Sequence, residues 1–249
     1  MQIINTDLSS VQSGEIIIVP MSDLHIGDPL SDWRLIQQRV EYIHTHDNVY
    51  CVLDGDLIDN ATRTSIGDIY GQRLNPMESV KTISTLLTPI RDKILAACPG
   101  NHEHRTYRSD GIDITEMICS NLGIVDRYSP TTALVTIKTA KNTYTLYITH
   151  GSGGGRKAGG KVNRLLDLAQ IVDADIYLMG HTHTPTATRQ AIMERRGNRL
   201  IQADRLFVIT AAALTYGGYA DAQGYAPASL INPTIHLCTN GDKFAWAVI

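Results

Sequence analysis

Apolar and polar positions divide the chain into short runs whose spacing predicts its elements. Glu15–Met21 reads EIIIVPM, apolar at almost every position, as in a strand buried on both faces. Trp33, Ile36, Val40 and Ile43 recur at helical spacing, so residues 32–46 are expected to form a helix with one apolar stripe. Residues 49–53 and Ile94–Cys98 are two more apolar runs of strand length. Between them, Asn75-Pro76-Met77-Glu78 has the form of a helix start: a capping side chain, proline at the first position and acid in the first turn. Met77, Val80, Ile83, Leu86 and Leu87 continue it as a core-facing stripe. Residues 113–122 predict a short helix that stops at Gly123.

The second half is richer in strands. Residues 133–139 and 144–149 flank a short turn and read as a hairpin. Residues 162–171 predict a helix and Ile176–Met179 a strand, with further strands expected in 199–214 and 234–249. Strand–helix alternation followed by hairpins predicts an α/β fold of two mixed sheets packed face to face, with helices outside.

Composition narrows this picture. The 249 residues are 43% hydrophobic and 19% charged. They suit a single domain spanning 1–249 that buries roughly 70–75% of the surface of its unfolded chain. Disordered, collagenous and coiled-coil chains are excluded. No apolar stretch approaches the roughly 20 residues of a membrane span. The net charge of −3 disfavours a globally basic nucleic-acid binder and leaves a local basic patch open. Cys51, Cys98, Cys119 and Cys238 are scattered, which suits free thiols in a reducing compartment. Residues 1–14 carry no leader pattern, so the expected location is the cytoplasm.

The chemistry lies where the strands end. Ser22-Asp23-Leu24-His25 follows the first apolar run, and Asp54-Gly55-Asp56-Leu57-Ile58-Asp59 follows the second. Gly100-Asn101-His102-Glu103, His150-Gly151 and Gly180-His181-Thr182-His183 follow three others. Carboxyl ends of strands are where sites assemble in open α/β sheets. Imidazoles, an amide oxygen and carboxylates make a hard-to-intermediate ligand set, and no thiolate is offered. In Asp23-x-His25 and His181-x-His183 the alternation of extended backbone lets both side chains reach one metal. Asp56 has two oxygens and can bridge two cations. Two metals suit in-line attack on phosphorus.

These five motifs, in this order, resemble the calcineurin-like metallophosphoesterase superfamily, over residues of about 16 to 183. The resemblance implies a four-layer α/β/β/α sandwich and a dinuclear site at which a metal-bridging hydroxide attacks phosphorus in line. It assigns Asp23, His25 and His183 to the first metal, Asp56 to both, and Asn101, His150 and His181 to the second. It makes His102 the histidine that contacts the substrate, protonating or stabilising the leaving oxygen. Asp59 matches the second acid of G-D-x-x-D and is expected to act with His102 by orienting it or a metal ligand. The ligand set admits manganese, iron or zinc, with manganese the first expectation.

The substrate is read from finer detail. Asn60 stands where the superfamily's protein phosphatases carry arginine. His150 precedes glycine rather than a His-Pro pair, unlike the cyclic-nucleotide branch, and G-N-H-E differs from the G-N-R-D of the lipid-precursor branch. D-L-H, G-D-L-I-D and His-Gly resemble the DNA-repair-type nucleases, without room for their long capping domains. A small phosphodiesterase acting on nucleic acid or nucleotides is the leading expectation. A phosphomonoesterase and a metal-binding scaffold with little turnover stand beside it. Residues 151–161 (GSGGGRKAGGK) read either as a solvated loop or as a cationic rim in which Arg156, Lys157 and Lys161 grip phosphate. Arg105 and Arg108 could add charge to that rim. Tyr216, Tyr219 and Tyr225 sit in a glycine-rich stretch that reads as a turn or as a base-stacking loop. His44, His46 and His236 have no motif around them, whereas His104 directly follows Glu103 and reads either way.

Overall fold

The computed structural model describes residues 1–63, 65, 68–153 and 155–249. The first half runs β1 (Gln2–Asp7), β2 (Glu15–Met21), α1 (Trp33–Thr45), β3 (Val49–Asp54), α2 (Pro76–Leu87), β4 (Ile94–Cys98), α3 (Glu103–Asp110) and α4 (Ile114–Leu122). The second half runs β5 (Ala133–Lys138), β6 (Thr143–Thr149), α5 (Ala158–Leu166), β7 (Ile176–Met179), β8 (Thr186–Arg196), β9 (Arg199–Ile209), α6 (Gly218–Ala222), β10 (Thr234–Cys238) and β11 (Ala245–Val248).

Burial on both faces of the central strands sets the layers. Along β2, Ile16 and Ile18 enter one core while Ile17, Val19 and Met21 enter another. The period-two alternation of a strand sends neighbours to opposite faces, so an unbroken apolar run demands a cover on each side. The core holding Ile16 and Ile18 lies between two mixed sheets, where Val135, Leu146, Ile148, Leu178 and Val208 face them. One sheet is ordered β1-β5-β6-β7-β9-β8 and the other β11-β10-β2-β3-β4. The outer face of the second is covered by α1, α2 and α4 through Ile36, Val40, Val80, Ile83 and Ile118. On the outer face of the first, Leu165 and Leu168 pack on Tyr147, Tyr177 and Phe207. This is the four-layer α/β/β/α arrangement the motifs implied.

Strands β2, β3 and β4 are mutually parallel, as are β6, β7 and β9. Their carboxyl ends meet at one edge of the sandwich, and the five motif loops leave from that edge.

Several elements differ from expectation. The helix expected over 162–171 begins earlier, at Ala158, and tightens into a 3-10 turn at Asp167–Gln170. The strand expected over 199–214 stops at Ile209, and the strand region expected over 234–249 is the pair β10 and β11. Three elements carry no sequence signal. In β1 only Ile4 is buried, because the strand sits at a sheet edge. In α3 only Glu103 is buried, so there is no apolar stripe to detect. β8 reads TATRQAIMERR, a polar edge strand held in register by β9. Cys51, Cys98 and Cys119 are buried free thiols, whereas Cys238 is half-buried. Among the described residues, no helix is long and apolar enough to cross a membrane.

The start of α2 is a complete capping box. Asn75 accepts from the Glu78 amide at 2.9 Å, and Glu78 accepts from the Asn75 amide at 2.9 Å. Asn75→Ala is expected to cost about 1 kcal/mol. For a chain of this size that lowers the melting temperature by about 2–4 °C. An unshifted calorimetric transition would mean the box contributes nothing to stability.

Candidate metal centre

The carboxyl-edge loops leave the strands in a conformation that side chains rarely adopt. Asp23, His25, Asp56, Asn60, His181 and His183 all have positive φ, between 45° and 64°, and they are the non-glycine residues in that state among those described. Five of the six are predicted metal ligands. Left-handed backbone at a non-glycine residue costs roughly 1–3 kcal/mol, and it persists only where surroundings over-determine it. Here it turns successive side chains inward over the sheet edge. The loops also approach one another closely. A Cβ on Gly100 would stand 2.1 Å from Asp56 Oδ1, and one on Gly55 would stand 2.4 Å from the Gly100 amide nitrogen.

All seven predicted ligands come together. Asp23, His25 and His183 offer donor atoms within 4.8 Å of one another, and so do Asp56, His150 and His181. His25, Asp56 and His102 form a third such group, which links the other two. His183 Nε2 lies 3.0 Å from Asp23 Oδ1, and His150 Nε2 lies 3.1 Å from Asp56 Oδ2. The Asn101 side-chain oxygen is 3.2 Å from His150 Nε2. Both ring nitrogens of His25 are fully buried without a hydrogen-bond partner. Buried imidazole nitrogens are costly to leave unmade. Orphaned nitrogens facing carboxylates and further imidazoles fit divalent cations held at this cluster.

A surrounding set of hydrogen bonds fixes each donor. The His150 Nδ1–H donates to the Asp54 carbonyl at 2.7 Å, which leaves Nε2 facing Asp56. Asp23 accepts from Ser22 Oγ at 2.5 Å, from the His181 amide at 3.1 Å and from Thr210 Oγ1 at 3.2 Å. The His102 amide donates to Asp56 Oδ1 at 2.8 Å. His102 Nδ1 is 2.5 Å from the Asp59 carbonyl oxygen and 3.2 Å from Asp59 Oδ1. Gln72 Nε2 donates to Asp59 Oδ2 at 2.7 Å.

The electrostatics follow from burial and pairing. Burial works to raise the Asp23 carboxyl, but His183 outweighs it and holds the group below the usual carboxylate range. Burial opposes ionisation of Asp56 too, and His150 and then His102 hold it well below that range. At Asp54 burial outweighs the pull of His150. Burial pushes its carboxyl well above the usual range, and neither of its side-chain oxygens has a hydrogen-bond partner. Burial lowers His25 and His181, so their imidazoles favour the neutral form that binds metals. Burial works against the His150 cation, but Asp56 outweighs it and raises the group well above 6.5.

The predicted substrate-binding cations divide. Arg105 belongs to the site: its Nη1 donates to the Asp59 carbonyl at 3.0 Å and its Nη2 lies 2.9 Å from His102 Nε2. A guanidinium has only donors, so His102 Nε2 accepts and its proton sits on Nδ1. Arg156 turns away to the Gln223 carbonyl at 2.9 Å and lies over the Tyr225 ring. Lys161 donates within the protein, to the Thr182 carbonyl and Thr184 Oγ1. Lys157 is exposed at the start of α5. Within the glycine-rich stretch, Gly154 lies outside the described residues.

Glu103 is a buried residue whose part only the structure reveals. Glu103 accepts from the amides of Asp56 at 2.9 Å, Leu57 at 2.7 Å, Ile58 at 3.1 Å and Gly100 at 2.9 Å. Its carboxylate therefore clamps the loop after β3 to the loop after β4. The sequence signal was its place inside G-N-H-E, three residues after a glycine that admits close approach. Gln72 and Thr210 lie outside the motifs, while Ser22 and Asn60 stand in or beside them without a residue type that announces their part.

The chain belongs to the calcineurin-like phosphoesterase family, whose family model matches residues 18–185. It is a calcineurin-like metallophosphoesterase with candidate metal-binding residues, in a family of metal-dependent phosphoester hydrolases. Among solved structures it is similar to a predicted phosphoesterase from Streptococcus pneumoniae TIGR4, at 15% identity and a TM-score of 0.38, covering 94% of this chain and 97% of that one. It is also similar to Vps29 complexed with zinc from Entamoeba histolytica, at 12% identity and a TM-score of 0.40, covering 94% and 98%. None of the curated proteins matches it in sequence.

Two measurements test the site without substrate. Glu103→Gln puts an NH2 group against backbone donors, leaving at least one of them unpaired at a cost of about 1–3 kcal/mol. We expect lower thermal stability together with weaker Mn²⁺ binding, and retention of both would show that the clamp is dispensable. His150 gains its proton affinity on folding, so its contribution is complete below pH 6.5 and is lost as pH rises through the raised value. The melting temperature of metal-stripped protein should therefore fall above neutrality. His150→Gln should flatten that slope, and a slope unchanged in the variant would assign it to another group.

Proposed function

We propose that this protein is a dinuclear-metal-dependent phosphodiesterase acting on nucleic acid or nucleotide substrates. The observation that carries the reading is the meeting of three donor groups that share His25 and Asp56. Asp23, His25 and His183 would hold one cation, and Asn101, His150 and His181 the other, with Asp56 between them. Divalent cations bound there would supply Lewis-acid charge for a phosphoryl group and lower the pKa of water. Manganese is our first choice among manganese, iron and zinc.

The chain's own residues do the rest. His102 sits at the start of α3, its Nδ1 anchored on the Asp59 carbonyl, with Nε2 as the atom that meets the reacting ester. Once Arg105 leaves Nε2, the Asp59 carboxylate, 3.2 Å from Nδ1, favours the imidazolium, so a proton taken up on Nε2 can pass to the leaving oxygen. Asp59 acts by positioning, with Gln72 fixing its other oxygen. Arg105 lies against His102 Nε2 in the free protein and would move onto a non-bridging phosphate oxygen, where its planar fork fits. Arg105 carries most of the proposed phosphate recognition, because it stands beside His102, whereas Arg156 and Lys161 are turned to the Gln223 and Thr182 carbonyls.

The test is hydrolysis of bis-p-nitrophenyl phosphate beside p-nitrophenyl phosphate, with metal-stripped protein resupplied with Mn²⁺. Turnover of the diester is expected, abolished in Asp56→Asn along with metal retention. His102→Ala should lose about 100-fold or more in turnover while keeping its metal. Preference for the monoester would replace the diesterase reading with a phosphomonoesterase. Absence of turnover with two metals bound would favour a scaffold.

A further inference from the structure

We propose that Lys161 is a positioning residue for the metal centre, holding the turn that presents His181 and His183. This rests on the ligand roles proposed above for those two histidines. Lys161 lies in α5, the helix that follows the glycine-rich stretch, and its stem is half-buried. Its ammonium donates to the Thr182 carbonyl at 2.8 Å and to Thr184 Oγ1 at 2.6 Å. Thr184 Oγ1 donates in turn to the same Thr182 carbonyl at 3.0 Å. The three groups form a closed triangle around the middle of the His181-Thr182-His183 turn.

That turn needs an external hold. His181 has φ of 64° and His183 of 51°, so the turn bends twice through left-handed backbone without a glycine. On the inner side it is fastened by the His181 amide, which donates to both oxygens of Asp23. On the outer side the fastening is Lys161. Because Thr182 sits between the two histidines, one grip on its carbonyl sets both imidazoles. His183 is delivered to Asp23 and His181 to the group formed with Asp56 and His150. Two of the three ammonium protons are committed to this grip, which separates Lys161 from a free phosphate-binding cation. The helix that packs over the six-stranded sheet is thereby coupled to both proposed metal positions.

The experiment is calorimetric titration of the metal-stripped full chain with MnCl2, for wild type, Lys161→Met, Lys161→Arg, Thr184→Val and the Lys161→Met/Thr184→Val double variant. Lys161→Met should bind Mn²⁺ about 10–100-fold more weakly, the usual effect of losing a group that orients a ligand. Lys161→Arg should recover part of the affinity. The double variant should be no weaker than the worse single variant, because both substitutions open the same triangle. Diester turnover of Lys161→Met should return toward wild type at saturating Mn²⁺, with KM for the diester unchanged. Wild-type Mn²⁺ affinity in Lys161→Met together with a raised KM would overturn the proposal and make Lys161 a substrate contact. Melting of the metal-free variants by circular dichroism separates the two origins of any loss. Unfolding of Lys161→Met with wild-type Mn²⁺ affinity in the folded Thr184→Val also overturns the proposal. A wild-type chain that binds no Mn²⁺ overturns the metal centre itself, and this inference with it.

Discussion

Two buried negative charges organise this protein. Asp23 and Asp56 are almost wholly removed from water, where an unpaired ionised carboxylate costs several kcal/mol. Each stays ionised because donors surround it. Ser22, Thr210, the His181 amide and His183 serve Asp23, and the His102 amide and His150 serve Asp56. These partners leave from the carboxyl ends of strands in both sheets. Satisfying the two carboxylates therefore requires the two strand edges to meet, and it brings the imidazoles with them. Asp54 shows the alternative. It is equally buried, its burial outweighs the pull of His150, and it is driven toward the neutral acid.

The same edge concentrates conformational cost. Left-handed backbone at Asp23, His25, Asp56, His181 and His183 is unfavourable residue by residue. It is held by hydrogen bonds that reach across loops rather than along them. Glu103 ties the β3 and β4 loops through four amides, and Lys161 ties the β7 loop to a helix. Glycines at positions 55 and 100 let the loops come within the distance this clamp needs. The consequence is a set of donors aimed before any ligand arrives, as electrostatic catalysis requires.

The cations around the mouth serve mainly to fasten loops. Glycine-rich segments have few side chains with which to pack, so their order depends on what the occasional long side chain can reach. Arg156 reaches the segment around Tyr225, Arg164 donates to the Ser152 carbonyl, and Lys161 reaches Thr182. Arg105 is different. It stands beside His102 because α3 begins at the motif itself, and its guanidinium faces the proposed reaction centre.

Much of this was legible along the chain. Apolar runs of strand length, the capping box at Asn75 and the stripe of α1 gave the central elements within one or two residues. These signals are local: burial on both faces of a strand, or on one face of a helix, leaves a periodic trace. The D-x-H, G-D-x-x-D, G-N-H-E and G-H-x-H segments likewise announced their chemistry through residue type and place at strand ends. The polar elements β1, α3 and β8 left no trace, because their stability comes from neighbours and not from an apolar pattern. The partners of the rim cations were equally hidden. Whether Lys161 meets a phosphate or the Thr182 carbonyl depends on where α5 packs, which residues far apart in sequence decide. The sequence by itself determined which atoms could bind metal and which strands would carry them. Only the tertiary structure decided which side chains hold those atoms in place, because buried charge and strained backbone are satisfied across the fold.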